Sequence, residues 1–307
     1  MARFHSAEIV KTASGRQYHI GLGPGEVAPY ILVCGDLERA RRTAAYFDSV
    51  RIERSNREYR TYTGMLGPIP ITVMATGMGP DNTEIALVEL SQVVESPTLV
   101  RIGSSGALRK GIRLGDLIVS TGGVRLENTS LYYVTEGYPA VAHYEVVLAL
   151  LEAAAQVGVA HHLGLTASAP GFYGAQGREV PGWPPRFPGI DRELERMNVA
   201  NFEMEASALF TLATFRGLRA GAVCAAYANR HENRFIDTRT KDRAEKNCIE
   251  VGLAAIRVLY RIDAEKRSAR AAHWHAGLRK AGGAPRVASR HRGTSRTRTL
   301  TRAGRRT

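Results

Sequence analysis

The sequence has 307 residues and a formal net charge of +13; 44% of the residues are hydrophobic and 23% are charged. It therefore has enough apolar material for a large core, which excludes collagen-like, mini-protein and fully disordered classes. No apolar run reaches the roughly 18 residues of a membrane span, and the start of the chain lacks a secretory signal. Three scattered cysteines, at 34, 224 and 248, form no disulfide or zinc framework. We therefore expect a cytoplasmic protein with no membrane partner.

Short apolar runs alternate with amphipathic stretches through the first 265 residues. The predicted strands are 30–34, 69–76, 98–103, 116–126, 161–169 and 218–229, and the predicted helices are 37–47, 82–94, 143–157, 204–217 and 241–261. Strands this apolar are typical of a sheet buried on both faces. The pattern predicts an α/β fold in which helices cover a central parallel or mixed sheet.

Residues 170–199 are rich in Gly and Pro and show no strand pattern. An irregular segment of this length within a domain is usually a functional lid or a disordered linker. Because both flanks belong to predicted core elements, we interpret the segment as a lid.

The positive charge lies at the end of the chain. Residues 266–307 contain 13 Lys and Arg and no acidic residue, whereas residues 1–265 carry 29 basic and 29 acidic residues. The sequence predicts a folded domain at 1–265 and a basic, disordered tail at 266–307, because the tail has no helical or strand period. Two interpretations stay open for the tail: a solvated extension, or a weak, salt-sensitive contact with nucleic acid.

The first chemical motif follows the first predicted strand, at residues 34–39. Gly35 allows close backbone approach to an anion, the helix start offers free N–H groups, and Arg39 suits phosphate oxygens. The alternative is an ordinary strand-to-helix turn in which Asp36 caps the helix.

Two further motifs carry charge into apolar surroundings. Arg101 lies in an apolar strand followed by Gly103, Ser104, Ser105 and Gly106, which suits an anion-binding hollow; a turn with Arg101 in a salt bridge is the alternative.

The second motif, residues 201–207, places two acids around a Met at a strand-to-helix junction. One of these carboxylates could accept hydrogen bonds from a ribose diol, or the acids could simply favour the helix start.

Together these segments resemble the nucleoside phosphorylase family, which includes uridine phosphorylases, purine nucleoside phosphorylases and methylthioadenosine nucleosidases. The matching motifs, in the family's order from about residue 17 to about residue 263, are YHIGL, GDLERA, SNREY, RIGSSGALRKGIRLGD, FYGAQGR, NFEMEAS and ANR. FYGAQGR is similar to the F-Y-x-G-Q-x-R motif of the uridine phosphorylase branch, whereas purine-cleaving members are expected to carry Asp where this chain has Asn229-Arg230. The resemblance implies a three-layer α/β/α sandwich around a mixed, partly barrel-like sheet, with residues 1–265 as the catalytic domain.

The resemblance also implies three groups of site residues. The residues expected to bind phosphate are Gly35, Arg39, Arg101 and Ser104, with Arg57 donated by a neighbouring subunit. The residues expected to bind ribose are Met204 and Glu205, with His19 from the neighbour. The residues expected to bind the base are Gly106, Phe172, Gln176, Arg178 and Arg230. Among all of these, Arg101, Arg178 and Glu205 are expected to be catalytic.

The implied reaction is reversible phosphorolysis of uridine to uracil and ribose 1-phosphate. Phosphate is then a co-substrate, and the scheme requires no metal or organic cofactor. Because Arg57 and His19 would serve a neighbouring site, the expected assembly is at least a homodimer, and bacterial members of the family go on to hexamers.

Two other functions stay open at this point. A purine nucleoside phosphorylase or a nucleosidase would share the ribose residues, although a nucleosidase should lack the phosphate arginines. A non-enzymatic binder of nucleosides or nucleic acid would depend on the basic tail. Two departures bear on the base pocket: Tyr227 stands where a small aliphatic residue is expected beside the base, and Ala175 replaces a glycine of the FYGAQGR motif.

Overall fold

Eleven strands form one mixed sheet in the computed structural model, which describes residues 6–281. The strands are β1 (Tyr30–Cys34), β2 (Ser49–Asn56), β3 (Tyr59–Leu66), β4 (Ile69–Ala75), β5 (Thr98–Ala107), β6 (Leu117–Arg125), β7 (Ala140–Val141), β8 (His161–Ser168), β9 (Val199–Glu203), β10 (Arg219–Asn229) and β11 (Arg234–Phe235). All six predicted strands are present, with end points that differ by a few residues.

The helices of the described residues are α1 (Leu37–Ala44), α2 (Pro80–Leu90), α3 (Tyr144–Val157), α4 (Ile190–Arg196), α5 (Ala206–Phe215), α6 (Thr238–Ala269) and α7 (Gly277–Ala281), with 3-10 turns at Thr129–Tyr132 and Gly174–Gln176. Helices α1, α3 and α5 pack against the strands of the sheet. No helix within residues 6–281 is both long enough and apolar enough to cross a membrane.

Strand β5 is the centre of the sheet. It pairs with β1 and β10 in parallel and with β9 in antiparallel orientation. The series β5, β10, β6, β8 and β9 closes on itself as a five-stranded barrel, and β1, β4, β3 and β2 continue the sheet from β5. The predicted α/β class and the mixed, partly barrel-like sheet are confirmed.

The sheet differs from the sequence prediction at the β2–β3 hairpin and at β9. The hairpin was not predicted, because β2 (SVRIERSN) is polar and largely exposed and so lacks the apolar pattern of a buried strand. Strand β9 was missed because it is only five residues long and begins where the predicted lid ends. The lid segment itself is not wholly irregular, since α4 forms within it.

The chain divides into two compact units after Ile262. In the second unit the final turns of α6 reach Ala269 and α7 follows, so residues 266–269 and 277–281 are helical where disorder was predicted. Within this unit, Trp274 Nε1 donates to Glu265 Oε2 at 2.5 Å. The predicted disorder and nucleic-acid contact of residues 282–307 lie outside the described residues.

Gly64 allows the β2–β3 hairpin to close, and its replacement tests this packing. A Cβ atom at Gly64 would lie 1.8 Å from the carbonyl oxygen of Ser49 on the paired strand. We expect Gly64→Ala to destabilise the protein by about 3 kcal/mol, because a backbone atom must move to relieve the overlap. Thermal unfolding measures the loss. Gly137→Ala is the control, since a Cβ atom there meets nothing within 4 Å; equal melting temperatures for the two variants would contradict the prediction.

Candidate active site

A buried ion cluster lies where β5 meets β9. Arg101 of β5 is 6% exposed, and its Nε donates to Glu203 Oε2 at 3.0 Å. Its Nη2 lies 2.5 Å from Glu205 Oε2. Burial opposes the charge of Arg101, but the carboxylates of Glu205 and Glu203 raise its pKa above the usual value, so the guanidinium stays cationic. Arg101 therefore forms a salt bridge, as one of the two interpretations of its motif expected, and the salt bridge is part of a cluster with two glutamates.

The two acids of this cluster have different roles. Glu203 is fully paired: besides Arg101 it accepts from Ser168 Oγ at 2.5 Å, from the Glu205 amide at 2.8 Å and from the Ala206 amide at 2.9 Å. These bonds fix the start of α5. Glu205 is also buried, and the one charged or hydrogen-bonding contact that the described residues make with its Oε2 is the ion pair with Arg101. Burial raises the pKa of Glu205. Glu205 is therefore the acid that can accept a ligand.

Glycine-bearing turns surround Glu205. The Gly79 amide donates to Glu205 Oε1 at 2.7 Å, and Gly79 has a φ of 105°, which glycine adopts without strain. A Cβ atom on Gly35 would lie 3.2 Å from the Gly77 carbonyl oxygen and 3.9 Å from Glu205 Oε1. Gly35 follows β1 directly, and Asp36 caps α1 by accepting from the Glu38 amide at 2.8 Å. The capping alternative for this motif is therefore confirmed, and the same turn lies beside the ion cluster.

The second predicted phosphate arginine, Arg39, is held in a buried network. Its Nη1 donates to the Ile102 carbonyl at 3.2 Å, and its Nη2 lies 3.3 Å from Glu245 Oε2 and 3.4 Å from the Tyr227 hydroxyl. The hydroxyl of Tyr227 also donates to Glu245 Oε2 at 3.3 Å. Sequence reasoning placed Tyr227 beside the base, whereas its hydroxyl contacts the phosphate arginine and an acid of α6.

The predicted base residues form a second cluster. The Arg178 guanidinium carbon lies 4.0 Å from the centroid of the Phe172 ring, and Arg178 Nε donates to the Phe172 carbonyl at 2.9 Å. Burial, with the nearby charge of Arg230, lowers the pKa of Arg178. Arg230 donates to the carbonyl of the buried Gln176 at 3.1 Å, and it pairs with Asp191 of α4 at 3.3 Å.

Strand β5 connects the base cluster with the ion cluster. The Arg230 amide donates to the Ala107 carbonyl at the end of β5, and a Cβ atom on Gly106 would lie 3.5 Å from Arg230 Cγ. Ser104 lies between Arg101 and Gly106 on the same strand, and it is half-buried. Met204 is half-buried between the two acids that follow β9. The structure thus brings most of the predicted residues together along one strand.

His19 and Arg57 form a separate group. Glu89 of α2 accepts from the His19 amide at 3.1 Å and from His19 Nδ1 at 2.7 Å, and Arg57 donates to the neighbouring Tyr18 hydroxyl at 2.7 Å. Helix α2 links Gly79, which contacts Glu205, with Glu89, which holds His19. At 1.5 Å per residue these two contacts are about 15 Å apart. Within residues 6–281 no hydrogen bond or ion pair joins His19 or Arg57 to the ion cluster.

Three acids that sequence reasoning missed hold predicted site residues. Glu245 pairs with Arg39, Asp191 with Arg230, and Glu89 with His19. Each lies within a helix, where a single acid has no distinguishing pattern. The one available signal is that buried arginines need acidic partners.

Comparison with known proteins places the chain in a family. The sequence model of the phosphorylase superfamily matches residues 29–257. The chain is 46% identical to a uridine phosphorylase of Thermococcus kodakarensis over 281 residues, which cover 90% of this chain and 99% of the relative. It is 36% identical to the uridine phosphorylase of Escherichia coli, covering 79% and 97%, and 34% identical to a guanosine phosphorylase of Halorubrum lacusprofundi, covering 70% and 84%.

The different pairing of the two acids predicts effects of different size from the same substitution. We expect Glu203→Gln to destabilise the protein by about 3 to 5 kcal/mol, because it breaks a fully paired buried carboxylate. We expect Glu205→Gln to change stability by less than about 1 kcal/mol, because Arg101 keeps Glu203 and an excess buried negative charge is removed.

Unfolding by denaturant in phosphate-free buffer measures both variants. The raised pKa of Glu205 means that the folded state binds its proton more tightly than the unfolded chain, so this group costs stability as pH rises above its usual pKa of 4.5. Glu205→Gln should lack that loss. A larger destabilisation by Glu205→Gln than by Glu203→Gln would contradict the assignment.

Proposed function

The chain belongs to the phosphorylase superfamily, and from this membership we propose that its buried Arg101–Glu205 site cleaves uridine with phosphate. The enzyme is a pentosyltransferase that converts uridine and phosphate to uracil and ribose 1-phosphate, reversibly. The observation that supports this proposal is a cationic arginine paired with a buried carboxylate whose Oε2 contacts no charged or hydrogen-bonding group of the described residues other than that arginine. The first group suits an anion, and the second suits a diol.

Arg101 is the centre of the proposed phosphate site. Its Nε and Nη2 face the two glutamates, and within residues 6–281 its Nη1 has no protein partner. Gly35 and Ser104 line the same region, and Arg39 lies along the sheet on α1. A phosphate dianion here would also compensate Arg39, which keeps its charge because its pKa is raised by nearby acidic groups despite burial.

Glu205 binds the ribose in this proposal. The 2′- and 3′-hydroxyl groups are donors, and among the described residues Oε2 of Glu205 contacts only the guanidinium of Arg101, so it has a lone pair left to accept from them. Met204 provides an apolar contact next to the carboxylate. A carboxylate near the sugar also stabilises the positive charge that develops on the ring.

In the reaction, a phosphate oxygen forms a bond to C1′ on the face opposite the base while the bond from C1′ to N1 of uracil breaks. The electron pair of that bond leaves with uracil, so positive charge develops on the ribose and negative charge on the base. The phosphate dianion held by the arginines stabilises the first charge, and Arg178 with Gln176 stabilises the second. No step requires a metal or an organic cofactor, so phosphate is proposed as the only co-substrate.

The base cluster supports a pyrimidine. The Gln176 side chain can both donate and accept, which suits N3–H and O2 of uracil, and Arg178 suits a carbonyl oxygen that gains charge. Phe172 is 44% exposed and offers a stacking surface. Guanosine is the second candidate substrate, since one relative is named a guanosine phosphorylase.

An ultraviolet assay of four nucleosides with and without phosphate tests the proposal. Uridine should be cleaved only with phosphate, and faster than guanosine or inosine, because Gln176 and Arg178 fit a uracil ring. Cytidine should be the poorest pyrimidine, because its amino group would face the guanidinium, a mismatch that costs about 1 to 3 kcal/mol. Faster cleavage of guanosine than of uridine would make guanosine the preferred substrate and reject uridine. Cleavage without phosphate would contradict phosphorolysis.

We also propose that the active unit is a homodimer. Exposed apolar side chains lie on elements that contact one another: Val88 on α2, Leu131 and Tyr132 on the 3-10 turn, Val141 on β7 and Phe215 on α5. An apolar surface formed by such side chains is typical of subunit interfaces. Covering it with a second copy would bring His19 and Arg57 towards the partner's site, which explains why both lie apart from their own ion cluster.

Mixing two inactive variants tests this shared site. Arg57→Ala and Glu205→Ala should each lose most activity, and mixed dimers should regain it, because one of their two sites then has both residues intact. Subunit exchange is confirmed first by mass spectrometry of differently tagged copies. A mixture that exchanges subunits without regaining activity would place Arg57 in its own chain's site.

Two further predictions from the sequence remain proposals. The three cysteines are free and buried, which is consistent with the reducing cytoplasm. A role for residues 282–307 in weak contact with nucleic acid rests on their charge alone.

A further inference from the structure

Tyr227 occupies an irregular position in β10. Ala226 pairs with Ser105 and Ala228 pairs with Gly106, which are successive residues of β5, so Tyr227 is the extra residue of a β-bulge. A bulge disrupts the alternation of side chains and redirects the extra one. The Tyr227 carbonyl still accepts from the Ile236 amide at 2.8 Å, so the bulge is fixed by the backbone.

The redirected side chain completes a buried triangle with Arg39 and Glu245. The Tyr227 hydroxyl lies 3.4 Å from Arg39 Nη2 and 3.3 Å from Glu245 Oε2, and the arginine and the acid are 3.3 Å apart. All three residues are buried. Burial raises the pKa of Tyr227 above its usual value, so the hydroxyl keeps its proton and donates to the carboxylate.

Glu245 and a bound phosphate would compete for the same guanidinium. If Arg39 turns its donors to phosphate, the buried carboxylate of Glu245 loses a charged partner, which is costly unless other donors remain. Two remain: the Tyr227 hydroxyl on Oε2, and Arg42 Nη1 at 3.0 Å from Oε1. The Tyr227 hydroxyl therefore still donates a hydrogen bond to the Glu245 carboxylate when Arg39 turns to phosphate.

We propose that Tyr227 is a positioning residue of the phosphate site: its hydroxyl holds Glu245 so that Arg39 is free to bind phosphate. This rests on the proposed function, in which Arg39 is a phosphate ligand. It also differs from the sequence expectation, in which Tyr227 stands beside the base. A small aliphatic residue at this position would leave Glu245 dependent on Arg39 and Arg42.

The test is steady-state kinetics of the full-length enzyme with phosphate and uridine varied separately. We expect Tyr227→Phe to raise the phosphate KM about three- to tenfold, the range that loss of one hydrogen bond implies, with the uridine KM within about twofold of wild type. The ring is kept, so the volume near the base does not change. Tyr46→Phe is the matched control: its hydroxyl also contacts a glutamate of α6, Glu250, but at the exposed surface. It should change neither KM.

A phosphate KM within twofold of wild type in Tyr227→Phe, or an equal rise in both KM values, would overturn the proposal. A second measurement uses Glu245→Gln. In that background Tyr227→Phe should add less than about a twofold change in phosphate KM, because the hydroxyl no longer compensates a carboxylate. A full, independent effect would also overturn the proposal.

Arg39→Met separates this inference from the function on which it rests. A raised phosphate KM in Arg39→Met with an unchanged one in Tyr227→Phe would reject the role of Tyr227 alone. An unchanged phosphate KM in Arg39→Met would reject the assignment of Arg39 itself.

Discussion

The arrangement of the site depends on one buried arginine held between two carboxylates. A guanidinium placed in the centre of a sheet is unfavourable unless acids compensate it. Glu203, the last residue of β9 and 102 residues away in sequence, and Glu205, at the start of α5, supply that compensation. The two acids share this one arginine, but Glu203 also accepts from Ser168 and from two backbone amides, whereas Glu205 Oε2 contacts Arg101 alone among the charged and hydrogen-bonding groups of the described residues. In the proposed function the arginine binds the anion and Glu205, beside it, binds the diol.

The fold supplies the geometry that this cluster needs. Closing β5, β10, β6, β8 and β9 into a barrel brings β9 antiparallel to the end of β5, so Glu203 lies beside Arg101. The hydrogen bonds that Glu203 accepts from the Glu205 and Ala206 amides fix the junction between β9 and α5, and that junction sets the position of Glu205. Glu203 thus acts on structure, and in the proposed function Glu205 binds the substrate. Around Arg39 the roles divide in a similar way, since Glu245 and Tyr227 hold the guanidinium and, in our proposal, Arg39 binds phosphate.

Much of this was accessible from the sequence, for identifiable reasons. The apolar strands gave the α/β class, and the site residues Gly35 and Glu205, which follow strands, and Arg101, which lies within one, stand in short contiguous motifs. Strand β2 was not predicted because most of its side chains are exposed, so its sequence lacks the apolar pattern of a buried strand. Glu245 was missed because its partner Arg39 is 206 residues away, and a lone acid within a helix carries no mark of such a pairing. Tyr227 was assigned to the base pocket because a strand's alternation cannot reveal a bulge that depends on the register of its neighbour.

Calorimetric titration of inorganic phosphate into the enzyme without nucleoside measures whether Arg101 is the centre of the phosphate site. We expect wild type to bind phosphate and Arg101→Met, folded to the same extent by circular dichroism, to lose at least about a hundredfold in affinity, since a charge-assisted pair in a buried site is worth roughly 3 kcal/mol. Phosphate binding by Arg101→Met with the affinity of wild type would contradict this expectation, because the cationic centre of the site would then lie elsewhere.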